Sequence, residues 1–524
     1  MKKNTIILST LCLETGTDIQ LALYYLAAYC RAYGVFSRKD VRIQVFNENE
    51  SREIVARALV SCRPVIIGFS CYVWNIRKII VLSRLIKIKF PSVVIVLGGP
   101  EVSPRPAEIL RSAKHVDYVV SGEGEKAFTE LSDAVISGAL NPLNIPGVSS
   151  RINSLFIHSA KPGPSLDMRK IPSPYLEGLL RLSSRNIIDV PLETTRGCVY
   201  SCRYCYYHKN AGSLRVFPLR RVMRELRIIL RSRPREIYIM DATFNTDPVR
   251  AKKILRFFIR HNEISGLHVE LRAELLDEEM IDLLAKARVT MIEIGVQSVN
   301  LVTLRLLHRP FNKNLFARSL GLLNTRRLPY EIQFIDCLPG QSYEELKKGL
   351  NWVFSFNPFR VEIFKLHVLP GTYLRQHAGE YGIIYDHNPP YLARRSGVMN
   401  AHDLNKIERL RFAIQRLYDA PFFKDTLFMA HKVLKIEYCE IFELWSEWEI
   451  RFKKRRTGKI QQSYFDVLNK SLPDFLCFLC RKSGRFNEYY TLLPGLERSF
   501  REYELWEKSI GSPVVLRRKA SRGR

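Results

Sequence analysis

Short apolar, β-branched runs alternate with helical patterns over the first 140 residues, and this alternation constrains the fold more than any other feature. The runs are Thr5–Leu11, Val41–Val45, Val65–Phe69, Val93–Leu97 and Val116–Val120. Strands that alternate with crossover helices form a parallel sheet with helices on both faces. The sequence therefore predicts an α/β fold, a doubly wound Rossmann-like parallel sheet, over residues 1–140.

Parallel sheets of this kind bind ligands at the carboxyl ends of their strands. Small residues and glycines follow three of the predicted strands there, and glycine allows the backbone to approach a bulky ligand. Ordinary turn chemistry would also place glycine in these loops. The candidate ligand contacts are Ser70, Cys71, Gly98, Gly99, Pro100, Gly122, Glu123 and Gly124.

The strand–helix alternation resumes after a Pro-, Ser- and Gly-rich stretch, which predicts a linker over residues 141–186. Six β/α units over residues 187–392 favour a partial or full β/α barrel, whose chemistry lies at the carboxyl ends of the strands. Their predicted strands are Ile187–Leu192, Glu236–Met240, His268–Leu271, Met291–Val296, Glu331–Ile335 and Val361–Leu366. Residues 393–510 have a helical pattern, and residues 511–524 form a basic tail without acidic residues.

The chain is strongly basic, with 81 Lys and Arg against 52 Asp and Glu and a formal net charge of +29. Such a surplus is compatible with contact with nucleic acid phosphates, but a solvated basic surface and a loose basic tail are the more common explanation, so a nucleic acid partner is possible but not the expected one. Charge alone identifies no partner. The uncharged runs are shorter than the roughly 20 residues of a membrane span, so we expect a soluble, cytoplasmic protein.

Three of the eleven cysteines, Cys198, Cys202 and Cys205, form a C-x3-C-x2-C pattern directly after the first barrel strand. Three thiolates on one loop can hold three irons of a [4Fe–4S] cluster and leave the fourth iron open. Zinc is the competing metal, but structural zinc prefers four ligands from two paired knuckles, and no second knuckle is close. Cys477 and Cys480 lie in an apolar, helix-like run, where core packing is the expected role.

This loop resembles that of the radical S-adenosylmethionine (SAM) enzymes, C-x3-C-x-aromatic-C, with Tyr204 as the aromatic residue. The resemblance covers about residues 187–390. It implies that the open iron binds SAM and that an electron cleaves SAM to methionine and a 5′-deoxyadenosyl radical.

The resemblance also implies SAM contacts at the ends of further barrel strands, although ordinary polarity at a barrel mouth could explain several of these residues. Cys337 occupies a position where the family usually has glycine. The implied SAM contacts are Tyr204, Asp241, Asn245, Glu270, Gly295 and Gln297.

Residues 1–140 resemble the cobalamin-binding domain that precedes the barrel in one radical SAM class. The linker and the helical region resemble the subgroup with a C-terminal domain of unknown function. The implied cofactors are a [4Fe–4S] cluster, SAM and cobalamin, and the implied partners are a small-molecule substrate and an external electron donor of the flavodoxin or ferredoxin type. His115 is the sole histidine in residues 1–150, so we expect bound cobalamin to lack a histidine ligand.

The expected activity is methylation or ring rearrangement of a substrate that the sequence does not define. Two other functions remain open at this point. A tRNA methylthiotransferase-like enzyme would use the basic tail, and a non-enzymatic cobalamin- or redox-sensing regulator would not need an open iron.

Overall fold

The computed structural model describes residues 5–13, 19–35, 40–138, 144–152, 155–158, 163, 165–180, 182, 189–207, 213–419, 423–455 and 464–510. The chain divides into two compact units. The first unit comprises Met1–Gly295, Leu301–Pro329 and Lys365–Ser396, and the second unit comprises Val296–Asn300, Tyr330–Phe364 and Gly397–Arg524.

The N-terminal part of the first unit is a seven-stranded sheet with the order β2-β1-β3-β4-β5-β6-β7. In chain order its elements are β1 (Ile6–Cys12), α1 (Leu21–Tyr33), β2 (Val41–Asn47), α2 (Arg52–Val60), β3 (Ile66–Ser70), α3 (Ile76–Lys89), β4 (Val94–Gly98), α4 (Pro106–Ser112), β5 (Tyr118–Val120), α5 (Gly124–Ser137), β6 (Val148–Ile152) and β7 (Leu155–His158). Strands β1 to β5 are parallel. The predicted α/β fold is confirmed, and each predicted strand lies within two residues of the observed one.

Apolar residues cover both faces of this sheet because successive side chains of a strand point in opposite directions. In β1, Ile7 and Leu11 belong to the core that includes residues of α2 and α3. Ile6 and Leu8 belong to the other core, which includes residues of α1 and α5. Burial on both faces explains why the strand reads as a continuous apolar run.

The segment 141–186 differs from its prediction as a linker, because β6 and β7 lie within it. β5 and β6 pair antiparallel, as do β6 and β7, so the pair extends the sheet. Gly147, with φ of +87°, makes the turn into β6, and its carbonyl accepts a hydrogen bond of 2.9 Å from Ser121 N–H. The Pro and Gly residues that suggested a linker therefore include turn residues of a sheet.

The barrel region contains the six predicted strands, each within two residues of its prediction. Its elements are β8 (Asp189–Leu192), β9 (Thr195–Arg196), β10 (Arg215–Val216), α6 (Leu219–Arg231), β11 (Glu236–Ile239), α7 (Pro248–His261), β12 (Gly266–Leu271), α8 (Glu278–Lys286), β13 (Val289–Gln297), α9 (Leu301–Leu306), α10 (Lys313–Thr325), β14 (Tyr330–Ile335), α11 (Tyr343–Phe354), β15 (Arg360–Phe364), α12 (Tyr373–Gln376), β16 (Ile384–Tyr385) and β17 (Ala393–Arg395). In the first unit β8, β11, β12 and β13 are parallel neighbours. In the second unit β14 and β15 form a parallel pair.

The C-terminal region is helical, as predicted. Its helices are α13 (Ala401–Leu417), α14 (Lys424–Leu434), α15 (Tyr438–Arg455), α16 (Tyr464–Lys482) and α17 (Tyr489–Ile510). Cys480 is buried in α16 and Cys477 is half-buried, which agrees with a packing role. None of the helices in the described residues is long and apolar enough to cross a membrane. The basic tail, residues 511–524, lies outside the described residues.

Candidate functional site

The cluster loop, residues 197–207, carries the three cysteines and follows β8 and β9. Asp241 fixes the segment that leads into this loop. Its buried carboxylate accepts hydrogen bonds from the backbone N–H groups of Thr194 at 2.7 Å and Thr195 at 2.9 Å. The Thr194 hydroxyl donates to the same carboxylate. Burial raises the pKa of Asp241 even though these hydrogen bonds lower it. Asp241 thus orients the loop, and direct contact with SAM stays a prediction.

Asn245 is also engaged within the protein. Its buried side-chain amide accepts a hydrogen bond of 3.0 Å from the backbone N–H of Arg272 and donates one of 2.8 Å to the carbonyl of the same residue. The Arg272 guanidinium lies 4.6 Å from the centre of the Tyr200 ring, on the cluster loop. Asn245 therefore supports the loop through Arg272, and its predicted contact with SAM is untested.

Two of the cysteine sulfurs have an N–H donor among the described residues. The backbone N–H of Tyr207 donates to Cys205 at 3.4 Å, and an arginine donates to Cys202, as described below. Burial raises the pKa of the Cys198 thiol, and it raises that of Cys205 to about 11.

The three cysteines are near enough to influence one another electrostatically. A cubane binds each thiolate through a different iron, whereas zinc needs all its ligands about 2.3 Å from one point. Three thiols on one loop are a donor set that can hold three irons of a [4Fe–4S] cluster.

Arg309 is the residue at this loop that the sequence did not reveal. Its guanidinium donates hydrogen bonds to the Cys202 sulfur at 3.7 Å, to the Tyr204 hydroxyl at 3.3 Å and to the carbonyl of Gly295. The pKa of Arg309 is raised, because the neighbouring phenol and thiol outweigh the effect of burial. Arg309 therefore places a fixed positive charge beside the predicted iron ligands.

Glu270, on β12, differs from Asp241 because no hydrogen-bond donor in the described residues reaches its carboxylate. Burial raises the pKa of Glu270 to about 7, with a further rise from Glu293, its partner residue across the β12–β13 pair. Glu293 in turn accepts a hydrogen bond of 2.8 Å from the His268 ring. Glu270 also affects the pKa values of Cys198 and Cys205, which places it near the cluster loop.

The end of β13 carries the remaining predicted SAM contacts. Gln297 has a φ of +66°, and its buried side-chain oxygen has no hydrogen-bond partner within the described part of the chain. An unpaired buried acceptor suits a ligand that donates a hydroxyl or amino hydrogen. In the second unit, Cys337 also has a positive φ, +54°. Glycine adopts such a conformation readily, which explains why the radical SAM family usually has glycine at this position.

The carboxyl edge of the first sheet brings the predicted cobalamin contacts together. Gly99 has φ of +103°, and a Cβ there would lie 2.7 Å from the Cys71 carbonyl oxygen. The Ser103 hydroxyl donates to the Gly99 carbonyl and accepts from Gly122 N–H, which joins the loops after β4 and β5. A Cβ at Gly98 would have one neighbouring atom, at 3.7 Å, and a Cβ at Gly122 would have none within 4 Å. These glycines place backbone without side chains at the predicted cobalamin edge, and contact with cobalamin stays a prediction.

The loop after β3 completes this edge. The Asn75 side-chain amide donates to Thr10 Oγ1 at 3.0 Å and to the Leu11 carbonyl at 3.1 Å, which fixes the loop to β1. Trp74, which is 54% exposed, stacks on Tyr72 with 4.5 Å between ring centres. His115 lies before β5, at the opposite end of that strand, and its Nε2 is 3.0 Å from Ser83 Oγ. His115 is thus away from the ligand edge, and the absence of a histidine ligand to cobalt stays a prediction.

Glu123, one of the predicted cobalamin contacts, instead faces the barrel region. Its carboxylate accepts a hydrogen bond of 3.0 Å from Arg215 and one of 3.1 Å from the backbone N–H of Leu166. Burial would raise the pKa of Glu123, but Arg215 and Arg196 lower it overall. Whether Glu123 also touches cobalamin remains a prediction.

A second junction lies at Gly371, where three segments of the first unit meet. With φ of +79°, a Cβ at Gly371 would lie 2.5 Å from the Tyr206 ring and 2.7 Å from Pro104 Cβ. The cluster loop and the loop after β4 are therefore in close contact with this glycine. Nearby, the Tyr391 hydroxyl donates to the buried carboxylate of Glu101.

Comparison with protein families defines the class of protein. Residues 192–353 match the Radical SAM superfamily, and residues 13–132 match the B12 binding domain. The chain therefore contains a radical SAM domain and a B12 binding domain, which confirms the resemblance seen in the sequence. The cofactors of these two families are a [4Fe–4S] cluster, SAM and cobalamin, as expected.

The curated relatives include methyltransferases. Over 219 residues the chain is 32% identical to the cobalamin-dependent radical SAM methyltransferase TokK of Streptomyces tokunonensis, a match of 40% of this chain and 30% of TokK. Over 193 residues it is 33% identical to the 2-(S-pantetheinyl)-carbapenam-3-carboxylate methyltransferase of Streptantibioticus cattleyicolor, a match of 35% of this chain and 28% of that enzyme. The chain thus spans less than a third of the length of either relative.

Solved structures share the fold. OxsB, a cobalamin-dependent SAM radical enzyme with aqua-cobalamin and SAM bound, has a TM-score of 0.65 and 16% identity over 96% of this chain and 84% of OxsB. TsrM from Kitasatospora setae, a radical SAM methyltransferase, has a TM-score of 0.60 and 18% identity over 74% of this chain and 79% of TsrM. At these identities the similarity concerns the fold alone.

Proposed function

We propose that this chain is a cobalamin-dependent radical SAM methyltransferase that acts on a small molecule. The observation that carries the proposal is the cluster loop, with three thiols on one loop, N–H donors to the Cys202 and Cys205 sulfurs and the acceptor Glu270 close by. The match of residues 13–132 to the B12 binding domain supports the cobalamin part. Similarity to TokK favours methyl transfer over ring rearrangement and over the regulator and tRNA-modification alternatives.

When bound, the cluster and SAM supply one-electron cleavage of a carbon–sulfur bond, and cobalamin supplies a methyl carrier. The balanced reaction converts R–H, two SAM and two electrons into R–CH3, 5′-deoxyadenosine, methionine and S-adenosylhomocysteine. The two electrons require an external donor, for which we propose a flavodoxin or ferredoxin. A cytoplasmic location, where reduced thiols and such donors coexist, also remains part of the proposal.

The residues of this chain contribute position and charge. Asp241 holds the approach to the cluster loop through two backbone N–H groups, and Arg309 keeps a positive charge at the Cys202 sulfur. Glu270 offers an oxygen acceptor to the hydroxyl and amino groups of SAM. The glycines at the carboxyl edge of the first sheet leave space for the corrin.

Simultaneous replacement of Cys198, Cys202 and Cys205 by Ala tests the proposal. In anaerobically reconstituted wild-type protein we expect about four irons per chain and, with a reductant, formation of 5′-deoxyadenosine from SAM. The triple variant should lose both. The double variant Cys477→Ala with Cys480→Ala is the matched control, because it removes a second C-x2-C pair outside the loop and should retain both.

Product analysis distinguishes methyl transfer from ring rearrangement. Protein loaded with cobalamin should form S-adenosylhomocysteine, which methyl transfer produces and a simple ring rearrangement does not. Persistence of about four irons in the triple variant would refute the cluster assignment. Formation of 5′-deoxyadenosine without any S-adenosylhomocysteine, in protein with bound cobalamin, would refute the methyltransferase assignment.

A further inference from the structure

We infer that Arg196 is a positioning residue that fixes the cluster loop against the cobalamin-binding edge of the first sheet and so sets the separation between the two cofactors. The inference rests on the proposed function. Arg196 precedes Cys198 by two residues and belongs to a buried group of charges, the Arg196 network. This network consists of Arg196, Glu193, Glu123, Glu125 and Arg215.

The guanidinium of Arg196 contacts carboxylates from both cofactor regions. Its Nη1 donates to Glu125 at 2.7 Å, at the start of α5, and lies 3.5 Å from Glu123, in the loop after β5. Its Nε donates to both oxygens of Glu193, at 3.0 and 3.2 Å, directly after β8. One side chain thus connects the end of β8, where the cluster loop begins, to the loop predicted to contact cobalamin.

Two aromatic rings restrict the orientation of the Arg196 guanidinium. Tyr25, from α1, and Phe217 stack on each other with 5.9 Å between ring centres. The Arg196 guanidinium lies 4.9 Å from the centre of the Tyr25 ring and 5.7 Å from that of Phe217. A planar guanidinium can combine such stacking with several directed hydrogen bonds, which a lysine ammonium cannot do.

A second arginine supports the network. Arg215 donates to both oxygens of Glu123, and β10, which contains Arg215, pairs with β9, which contains Arg196. The pairing brings Arg215 directly opposite Arg196. The two strands flank the cluster loop in sequence, so both ends of the segment that carries the loop are attached to Glu123.

Stability alone does not account for such a network. Burying charges costs hydration free energy, and apolar residues of similar volume often stabilise a protein as well or better. A buried network does restrict the geometry, because each hydrogen bond is lost if the two segments shift. Precise separation matters in this chemistry, since a misplacement of about 1 Å can lower a rate by about a hundredfold.

The variants Glu125→Gln and Arg196→Lys test the inference. Glu125→Gln keeps the shape of the side chain, and Arg196→Lys keeps the charge but removes the planar set of donors. Arg256→Gln, which breaks an exposed ion pair with Glu279, is the matched control. The first measurement is the magnetic interaction between Co(II) and the reduced cluster in protein loaded with both, because it depends on their separation.

In wild-type and Arg256→Gln protein we expect one narrow distribution of cobalt–cluster distances. In both network variants the distribution should shift or broaden. S-adenosylhomocysteine formation should fall about tenfold or more, while 5′-deoxyadenosine formation changes by less than about threefold, because it needs the cluster and SAM alone. An unchanged distance distribution, or an equal fall of both products, would overturn the inference.

A second measurement is independent of turnover. In cofactor-free protein, backbone amides of residues 193–207 should exchange hydrogen about tenfold faster in the network variants than in wild type, and those of α2 should not change. If wild-type protein forms no S-adenosylhomocysteine, the proposed function fails while this measurement still tests the positioning role. Unchanged exchange at residues 193–207 would contradict that role directly.

Discussion

The two ligand-binding edges of the first unit are built by different means. At the edge of the first sheet, backbone conformation shapes the site: Gly99 and Gly122 have positive φ, and a Cβ at Gly99 would collide with the Cys71 backbone. At the barrel edge, buried side chains shape it, because Asp241, Asn245 and Arg309 hold the cluster loop through hydrogen bonds. Substitutions should therefore act on geometry at the first edge and on charge and hydrogen bonding at the second.

The largest effect is expected at Gly99. In Gly99→Ala the new Cβ would lie 2.7 Å from the Cys71 carbonyl oxygen at a φ of +103°. We expect a loss of about 2 kcal/mol or more in the free energy of unfolding and at least a tenfold weaker affinity for cobalamin. Absorbance titration with hydroxocobalamin and thermal unfolding measure the two quantities.

Gly138→Ala is the control for this change. Gly138 also has a positive φ, +70°, but a Cβ there meets no atom within 4 Å. It should cost about 1 kcal/mol and leave the affinity for cobalamin unchanged. Equal loss of cobalamin binding in both variants would mean that backbone strain in general, not the ligand edge, controls binding.

Asp241→Asn and Glu270→Gln separate a structural carboxylate from a ligand-binding one. In Asp241→Asn the amide oxygen can still accept from the Thr194 and Thr195 N–H groups, but the new NH2 group replaces the oxygen that accepts from the Thr194 hydroxyl. We expect a loss of about 1–2 kcal/mol of stability, with loss of iron. Glu270→Gln breaks no hydrogen bond in the described residues, so thermal unfolding should not change while SAM binding weakens about tenfold. If the two variants had the same stability, Asp241 would not be a structural carboxylate in contrast to Glu270.

Arg309→Met should shift the reduction potential of the cluster. Loss of a positive charge beside the Cys202 sulfur disfavours the more negative, reduced state, and we expect a shift of about 50–150 mV to lower potential. Arg309→Lys keeps the charge and should shift the potential less. Potentiometric titration followed by EPR measures this; a shift to higher potential in Arg309→Met would contradict the role of the charge.

His268 is expected to have the smallest effect. Burial lowers its pKa, but hydrogen bonds to Glu236 and Glu293 raise it to about 9. Because the folded-state pKa is above the usual value near 6.5, protonated His268 stabilises the fold fully below pH 6.5, and this contribution disappears as pH rises through 9. Solvent screening at this part-exposed ring reduces the contribution to about 1 kcal/mol.

His268→Gln should therefore lower the melting temperature at pH 6 and have little effect at pH 9.5. Differential scanning calorimetry of both proteins at the two pH values tests this. The same decrease at both pH values would mean that packing, and not the charge of the ring, accounts for the role of His268.

The sequence predicted the strands of both sheets because buried parallel strands are continuous apolar runs bounded by turn residues. It also located the cysteines and glycines, since their pattern is local. It did not reveal Arg309, because nothing near that residue in the sequence relates it to Cys202, more than 100 positions earlier. Likewise the sequence did not reveal the partners of Glu123, Arg196 and Arg215, because they are distant in sequence and charged residues are common throughout this chain.

The contact at Gly371 has a consequence for evolution and for protein engineering. A side chain there would collide both with Tyr206 of the cluster loop and with Pro104 of the cobalamin-side loop. Neither loop can therefore be exchanged for that of a homologue without regard to the other. A chimera that joins a foreign cobalamin domain to this barrel should therefore need a donor loop that is compatible with Gly371. In homologues, positions 104, 206 and 371 should change together.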